Sequence, residues 1–242
     1  MELSNNKILI TGGATGIGFG MAERFIKEGN TVIICGRRLD ALQEAVSKLP
    51  SLIIKQCDLE LETEREALYH WIKKEHSDLN VLVNNAGIQN WMSLEDPEFF
   101  NKAKKEITIN VEAPLHLTVL FKELKALKTV VNVTSGLAFV PLIKAPVYCA
   151  TKAFFHSFTL SLSRLLEDRA IEVIEVIPPA LNTDLGGKGI HDMWDSVDTF
   201  IESIFGQLKE GKKTVSHGFS VAMSSAGKET LEGIFNQMNP KE

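Results

Sequence analysis

Apolar and polar positions along this chain switch repeatedly between two periods. Short apolar runs, each the length of one buried strand, occur at 7–11, 31–35, 51–55, 80–84, 129–134 and 172–177. Between them apolar residues recur every three to four positions, which predicts amphipathic helices near 17–28, 39–48, 63–76, 99–125 and 147–168. Near-continuous apolar strands alternating with helices are expected of a parallel sheet covered on both faces. The pattern therefore predicts an α/β fold, a doubly wound Rossmann-type parallel sheet, as a single domain over 1–242.

After Ile177 the periodicity loosens. The stretch PPALNTDLGGKGIHDMW mixes proline, glycine and apolar residues, and predicts a mobile covering segment at about 181–197. A helix near 197–209 follows, then a short seventh strand in KKTVSHG and a terminal helix in GKETLEGIFNQM. No linker, repeat or low-complexity tract divides the chain.

Composition narrows the partners. With 44% apolar and 24% charged residues the chain is expected to fold around an ordinary core. The net charge of −5 and the lack of a long basic stretch argue against nucleic acid or an anionic membrane as partner. No apolar run approaches the ~20 residues needed to span a bilayer, and the N-terminus lacks a signal-peptide pattern. The three cysteines and six histidines show no metal-ligand spacing, so no metal is expected, and the cysteine usage fits a cytoplasmic location.

In ILITGGATGIGFG an apolar strand runs into glycines and then into a helical pattern, with Gly12, Gly16 and Gly18 at the turn. Backbone N–H groups at a helix start carry about half a positive charge, and glycine lets phosphates approach closely, so the turn predicts a pyrophosphate site. Such turns also join strands to helices without a ligand, and the spacing is not G-x-G-x-x-G. About 20 residues on, an acidic side chain would bond the ribose of NAD. Here the second strand ends in Gly36, Arg37 and Arg38. Two guanidiniums at a helix start suit a 2′-phosphate, which predicts NADP(H) as cofactor. Downstream, in VYCATKAFFHSF, Tyr148 and Lys152 stand one helical turn apart, on one face and about 6 Å from each other. That spacing is common by chance and gains weight only from the nucleotide turn upstream.

Taken in order, TGGATGIG, NNAG (84–87), Ser135 and YCATK (148–152) resemble the short-chain dehydrogenase/reductase family over residues 7–183, and CGRR, VTSGLAF and VIEVIPP narrow the likeness to one bacterial branch. The resemblance implies hydride transfer between NADP(H) and a small-molecule carbonyl or alcohol. Tyr148 would be the general acid/base, Lys152 its activator, Ser135 a partner of the substrate oxygen and Asn110 a support of the proton relay. Asp58 would contact the adenine amine, Asn85, Ala86 and Gly87 would line the adenosine pocket, and Thr183 would bond the cofactor. Thr15, Ile17, Leu59 and Pro178 join the implied cofactor set. Where the family has Pro-Gly, this chain has Pro178-Pro179, which removes an N–H on the nicotinamide side.

One positive charge about 5 Å from the phenol at an effective dielectric near 20 is worth about 3 kcal/mol, which would bring Tyr148 to roughly 7 to 8. Trp91, Phe139, Leu142, Met193 and Trp194 are expected around a moderately apolar substrate. Cys149 and His156 read as packing residues. The helices near 99–125 and 147–168 resemble those that form the family's homodimer or homotetramer contacts. An NADP(H)-binding sensor with negligible turnover is the rival reading, and it has no need of a proton donor. A SAM-dependent methyltransferase on a similar sheet leaves YCATK unexplained.

Overall fold

The computed structural model describes residues 1–240. Strands β1 (Lys7–Thr11), β2 (Thr31–Gly36), β3 (Ile53–Gln56), β4 (Val81–Asn84), β5 (Thr129–Val133), β6 (Glu172–Ile177) and β7 (Thr214–Ser216) form one parallel sheet in the order β3-β2-β1-β4-β5-β6-β7. Helices α1 (Gly16–Lys27), α2 (Leu39–Lys48), α3 (Glu62–Glu75), α4 (Phe99–Ile107), α5 (Ala113–Phe121), α6 (Pro146–Leu165), α7 (Val197–Lys209), α8 (Phe219–Ser225) and α9 (Lys228–Met238) complete the single Rossmann-like domain.

Alternate strand residues feed two cores, which is why the strands read as unbroken apolar runs. Ile8, Ile10 and Ile34 pack under Met21 and Phe25 of α1 and Phe200 and Phe205 of α7. On the other face Leu9, Ile33, Leu82 and Val130 meet Leu68 and Ile72 of α3, Phe121 of α5 and Leu162 of α6. Each fully buried side chain of this size contributes about 1.5–3 kcal/mol. Gly20 lets α1 lie close on α7, since a Cβ there would fall 2.7 Å from Val197.

The strand order reverses between β1 and β4. In such sheets the chain leaves in opposite directions on either side of that point and opens a crevice at the carboxyl ends of the strands. β1 pairs with β2 on one side (Ile8 opposite Val32) and with β4 on the other (Ile8 opposite Val81).

Most expected elements are present, with shifted ends: β3 starts at Ile53, not 51, and the seventh strand is Thr214–Ser216. One expectation is corrected. The helix read at 99–125 ends at Phe121 and is interrupted by a π turn at Thr108–Glu112. Pro114 has no N–H for the carbonyl of Asn110, so the ladder widens, and Ala113 N–H donates to the carbonyl of Thr108. Residues 181–196 form turns with no strand or helix before α7. No helix among the described residues is long and apolar enough to cross a membrane.

Candidate active site

A cleft of about 1740 Å³ opens at the carboxyl ends of the central strands. Every catalytic or cofactor residue singled out from the sequence lines it except Asn110. At the nucleotide end the glycine turn is held from β4. Thr11 Oγ1 accepts from the backbone N–H of Asn85 and of Ala86, both at 3.0 Å, and Asn85 Nδ2 donates to the carbonyls of Thr11 (2.9 Å) and Gly12 (3.2 Å). The Asn85 amide is thus spent on the turn, and Thr11, which sequence reading passes over, is part of the same clasp. A Cβ at Gly18 would lie 2.4 Å from the carbonyl oxygen of Gly12, and Gly12 itself has φ +64°.

These features fit a dinucleotide. Thr15 caps α1 without a side-chain hydrogen bond, and no acidic residue stands in the first turn, so that positive helix end faces the cleft uncompensated. Arg37 and Arg38 are exposed at the rim, and neither makes an ion pair among the described residues. Asp58 Oδ1 accepts from the N–H of Glu60 (3.0 Å), and Leu59 is buried in the wall beside it.

At the other end Tyr148 and Lys152 of α6 stand on one face beside Ser135. Lys152 Nζ donates to the carbonyl of Val133 (2.9 Å) and lies 5.7 Å from the Tyr148 ring centre. Ser135 Oγ accepts from the N–H of Leu137 (3.1 Å), capping the turn after β5, and Ser135 lines the cleft. The π turn presents Asn110 to the loop after β4: Ile88 N–H donates to its Oδ1 (2.9 Å), and its Nδ2 donates to the carbonyl of Ile88 (2.8 Å) and to Thr151 Oγ1 (3.1 Å). Asn110 therefore braces the cleft wall from behind. A side chain at Gly87 would fill the space 3.7 Å from Lys152 Nζ.

Distant segments close the cleft. Trp91 Nε1 donates to the carbonyl of Gly186 (2.9 Å), tying the covering turns to the loop after β4. Ser220 and Met223 of α8 press on Gly136, where a Cβ would fall 2.4 Å from Ser220 Oγ. Asn239, just past α9, accepts from the N–H of Ile143 (2.8 Å) and donates to the carbonyl of Pro141 (3.0 Å). The Gly136 N–H donates to the carbonyl of Pro178 (3.0 Å), so the Pro-Pro corner is stitched to the serine turn, and Thr183 reaches back over Gly16. Trp91, Leu142, Met193 and Trp194 line the cleft as expected, whereas Phe139 does not. Its ring packs on His156, 4.6 Å between centres.

Residues 6–193 match the family described as short chain dehydrogenase. The chain belongs to that family. It is 43% identical over the full length of both chains to the uncharacterized oxidoreductase DltE of Bacillus subtilis (strain 168). Among solved structures, a short chain dehydrogenase from Burkholderia cenocepacia J2315 in complex with NADP superposes with a TM-score of 0.83 at 20% identity, over 97% of this chain and 99% of that one. Another from Burkholderia phymatum, in complex with NAD, also gives 0.83 at 17% identity, over 100% and 98%. These two likenesses show the shared fold.

Electrostatics in this short-chain dehydrogenase correct one expectation. Burial drives the Tyr148 phenol well above its ordinary value, opposed by the hydrogen bond from Ser135 and reinforced by Cys149 and Glu106. Lys152 does not bring it down to 7 to 8. The same burial pushes the lysine down to about 8, so its charge is itself precarious. Cys149 is buried with its thiol raised, and His156 Nδ1 pairs with buried Glu175 (2.8 Å); both are packing residues, as the sequence implied.

Sequence reading misses Glu106 on α4. It is fully buried, although its place on the same stripe as Ala103 and Asn110 is legible from helical spacing. Away from the cleft, Glu62 and Glu66 of α3 and His116 of α5 come within metal-ligand reach, a grouping that chain spacing hides; His116 Nδ1 already accepts from Arg65 (3.2 Å).

Proposed function

We propose that the protein is an NADP(H)-dependent carbonyl reductase, the reverse reaction being oxidation of the alcohol. The observation that carries this reading is the convergence of Ser135, Tyr148 and Lys152 on one end of a cleft whose other end offers a bare helix N-terminus and two guanidiniums without ion pairs among the described residues. The nicotinamide supplies hydride to the carbonyl carbon, or takes it from the alcohol. The residues of the chain supply the rest. The Tyr148 phenol gives its proton to the carbonyl oxygen as negative charge develops there, and Ser135 donates a hydrogen bond to the same oxygen. A phenol is protonated at neutral pH, as a proton donor must be. The positive charge of Lys152 eases the proton's departure, and Asn110 keeps the wall at Ile88 in register.

Gly12, Thr15, Gly16, Ile17 and Gly18 receive the pyrophosphate in this reading. Arg37 and Arg38 bind the 2′-phosphate, and Asp58, Leu59, Ala86 and Gly87 surround the adenosine. Thr183 and Pro178 face the nicotinamide side, with residues 181–197 acting as a mobile cover. Trp91, Leu137, Leu142 and Leu185 surround Tyr148 and favour an apolar carbonyl substrate. Exposed Val119 of α5 and Phe154, Leu160 and Leu165 of α6 support a homodimer or homotetramer packed through these helices, and the three free thiols support a cytoplasmic setting.

Fluorescence titration with NADPH, followed by its consumption across a panel of aldehydes and ketones with Tyr148→Phe as control, tests the proposal. Tight NADPH binding and turnover lost in the variant is the expected result. Binding without turnover on any carbonyl would leave the sensor reading in its place.

A further inference from the structure

Arg65 of α3 carries a buried charge for which the reaction has no use. It is 5% exposed and makes no ion pair among the described residues. Its guanidinium spends its donors on neutral partners instead: Nη1 donates to the carbonyl of Leu59 (2.6 Å) and Nε to Nδ1 of His116 on α5 (3.2 Å). A buried cation without a countercharge costs stability, and an apolar side chain would fill the space between α3 and α5 without that cost. What Arg65 holds gives the reason for a guanidinium at this position.

The loop after β3 walls the nucleotide end of the cleft, with Cys57, Asp58 and Leu59 in its lining. Two neighbours on α3, opposite in charge, grip neighbouring groups of that loop. Glu64 Oε2 accepts from the N–H of Asp58 (2.5 Å), and Arg65 takes the carbonyl of Leu59. The carbonyl of Asp58 accepts from the N–H of Leu61 (3.1 Å), and Asp58 Oδ1 from the N–H of Glu60 (3.0 Å). Of all the polar groups of Asp58 and Leu59, two are left without a hydrogen bond among the described residues: Asp58 Oδ2 and the N–H of Leu59. The Leu59 N–H lies in one planar peptide with the Asp58 carbonyl, so bonds to the carbonyls on both sides of the Leu59 Cα fix its direction. One acceptor and one donor thus stand side by side on the cleft wall. Adenine has the complementary pair on one edge, a 6-amino donor beside the N1 acceptor. Hypoxanthine has the reverse, a 6-oxo acceptor beside an N1–H donor.

We propose that Arg65 is a positioning residue for the adenine of the cofactor. By tying the Leu59 carbonyl to α3 and α5, it presents the Asp58 carboxylate and the Leu59 N–H as a pair matched to adenine and mismatched to hypoxanthine. A planar guanidinium suits this task, since its donors leave at fixed angles and so set the direction of the loop from the helices. The inference rests on the NADP(H) reading of the cleft.

Nicotinamide fluorescence measures the binding of NADPH and of its hypoxanthine analogue, reduced nicotinamide hypoxanthine dinucleotide phosphate. Wild type is expected to hold NADPH about tenfold more tightly than the analogue. Arg65→Met loses both donors and keeps a long side chain. It is expected to bring that ratio close to one, by weakening NADPH and sparing the analogue, and to speed amide hydrogen exchange at 58–61 in the free protein. A merely structural role would weaken both nucleotides alike and leave the ratio unmoved. Arg65→Lys, with one donor still able to reach the Leu59 carbonyl, is expected to give an intermediate ratio, and it decides if Arg65→Met does not fold. Equal binding of the two nucleotides by wild type, or a wild-type ratio in the variant that decides, overturns the inference and leaves the cofactor reading standing. A wild type that binds neither nucleotide overturns both.

Discussion

The two ends of the cleft are built in opposite ways. The nucleotide end comes mostly from one short stretch of chain: the strand β1, its glycine turn, the end of β2 and the loop after β3 all fall within residues 7–59, clasped by Asn85 and Ala86. The substrate end is assembled from the loop after β4, the serine turn, the covering turns, and α8 with the tail after α9, segments as far apart as Ile143 and Asn239. The first end is set by backbone geometry that tolerates almost no added atom. Side chains packed across long chain separations set the second, which leaves it free to vary in shape while the chemistry stays fixed.

Breaking each end separately exposes that division. The largest effect is expected from Tyr148→Phe, which removes the proposed donor proton with little loss of volume. Reduction should fall by about 10²–10⁴-fold while NADPH binding, read by fluorescence titration, holds. Next comes a matched pair of alanines. At Gly18 the new Cβ meets a backbone carbonyl at 2.4 Å, which cannot give way, so Gly18→Ala should weaken NADPH binding and lower stability by about 1–3 kcal/mol in urea melts. At Gly136 it meets the side chains of Ser220 and Met223, which move with α8, so Gly136→Ala should raise KM for the carbonyl and spare the cofactor. A carbonyl KM unmoved in Gly136→Ala would remove α8 from the substrate end.

A smaller effect is expected at the rim. Arg37→Ala and Arg38→Ala should each weaken NADPH binding by about tenfold and leave NADH unchanged, because on the proposed reading their charge-assisted bonds go to the 2′-phosphate alone. The smallest is a pH signature of Lys152. Its folded value of about 8 lies below the ordinary 10.5, so between these limits the unfolded chain binds the extra proton and stability rises with pH. Below about 8 both states are protonated and the penalty of the buried charge is fully present. Lys152→Met should remove that rise and be more stable than wild type at neutral pH, seen in thermal melts across pH 7–10.5.

Gly12, Gly16, Gly18, Arg37 and Arg38 could be read from the sequence because a strand, a turn and a helix start lie next to each other in the chain. Tyr148 and Lys152 could be read because one helical turn fixes their shared face. The π turn was equally available, since Pro114 announces that the carbonyl of Asn110 loses its α-helical donor, yet apolar periodicity carries no mark of a widened ladder. Phe139 was misplaced because a residue after a strand end can turn toward the cleft or toward His156, and local pattern does not choose between them.

Contacts within a few residues suffice for the alternating α/β order, the glycine turn with its arginines and the face shared by Tyr148 and Lys152, so these are legible in the chain alone. That the Tyr148 phenol is raised and not lowered, that Glu106 is fully buried without a countercharge among the described residues, and that α8 leans on the serine turn follow only from the assembled fold. Those properties depend on how much water is excluded and on which remote groups arrive. Solvent exclusion belongs to the packed whole and is written in no single stretch of chain.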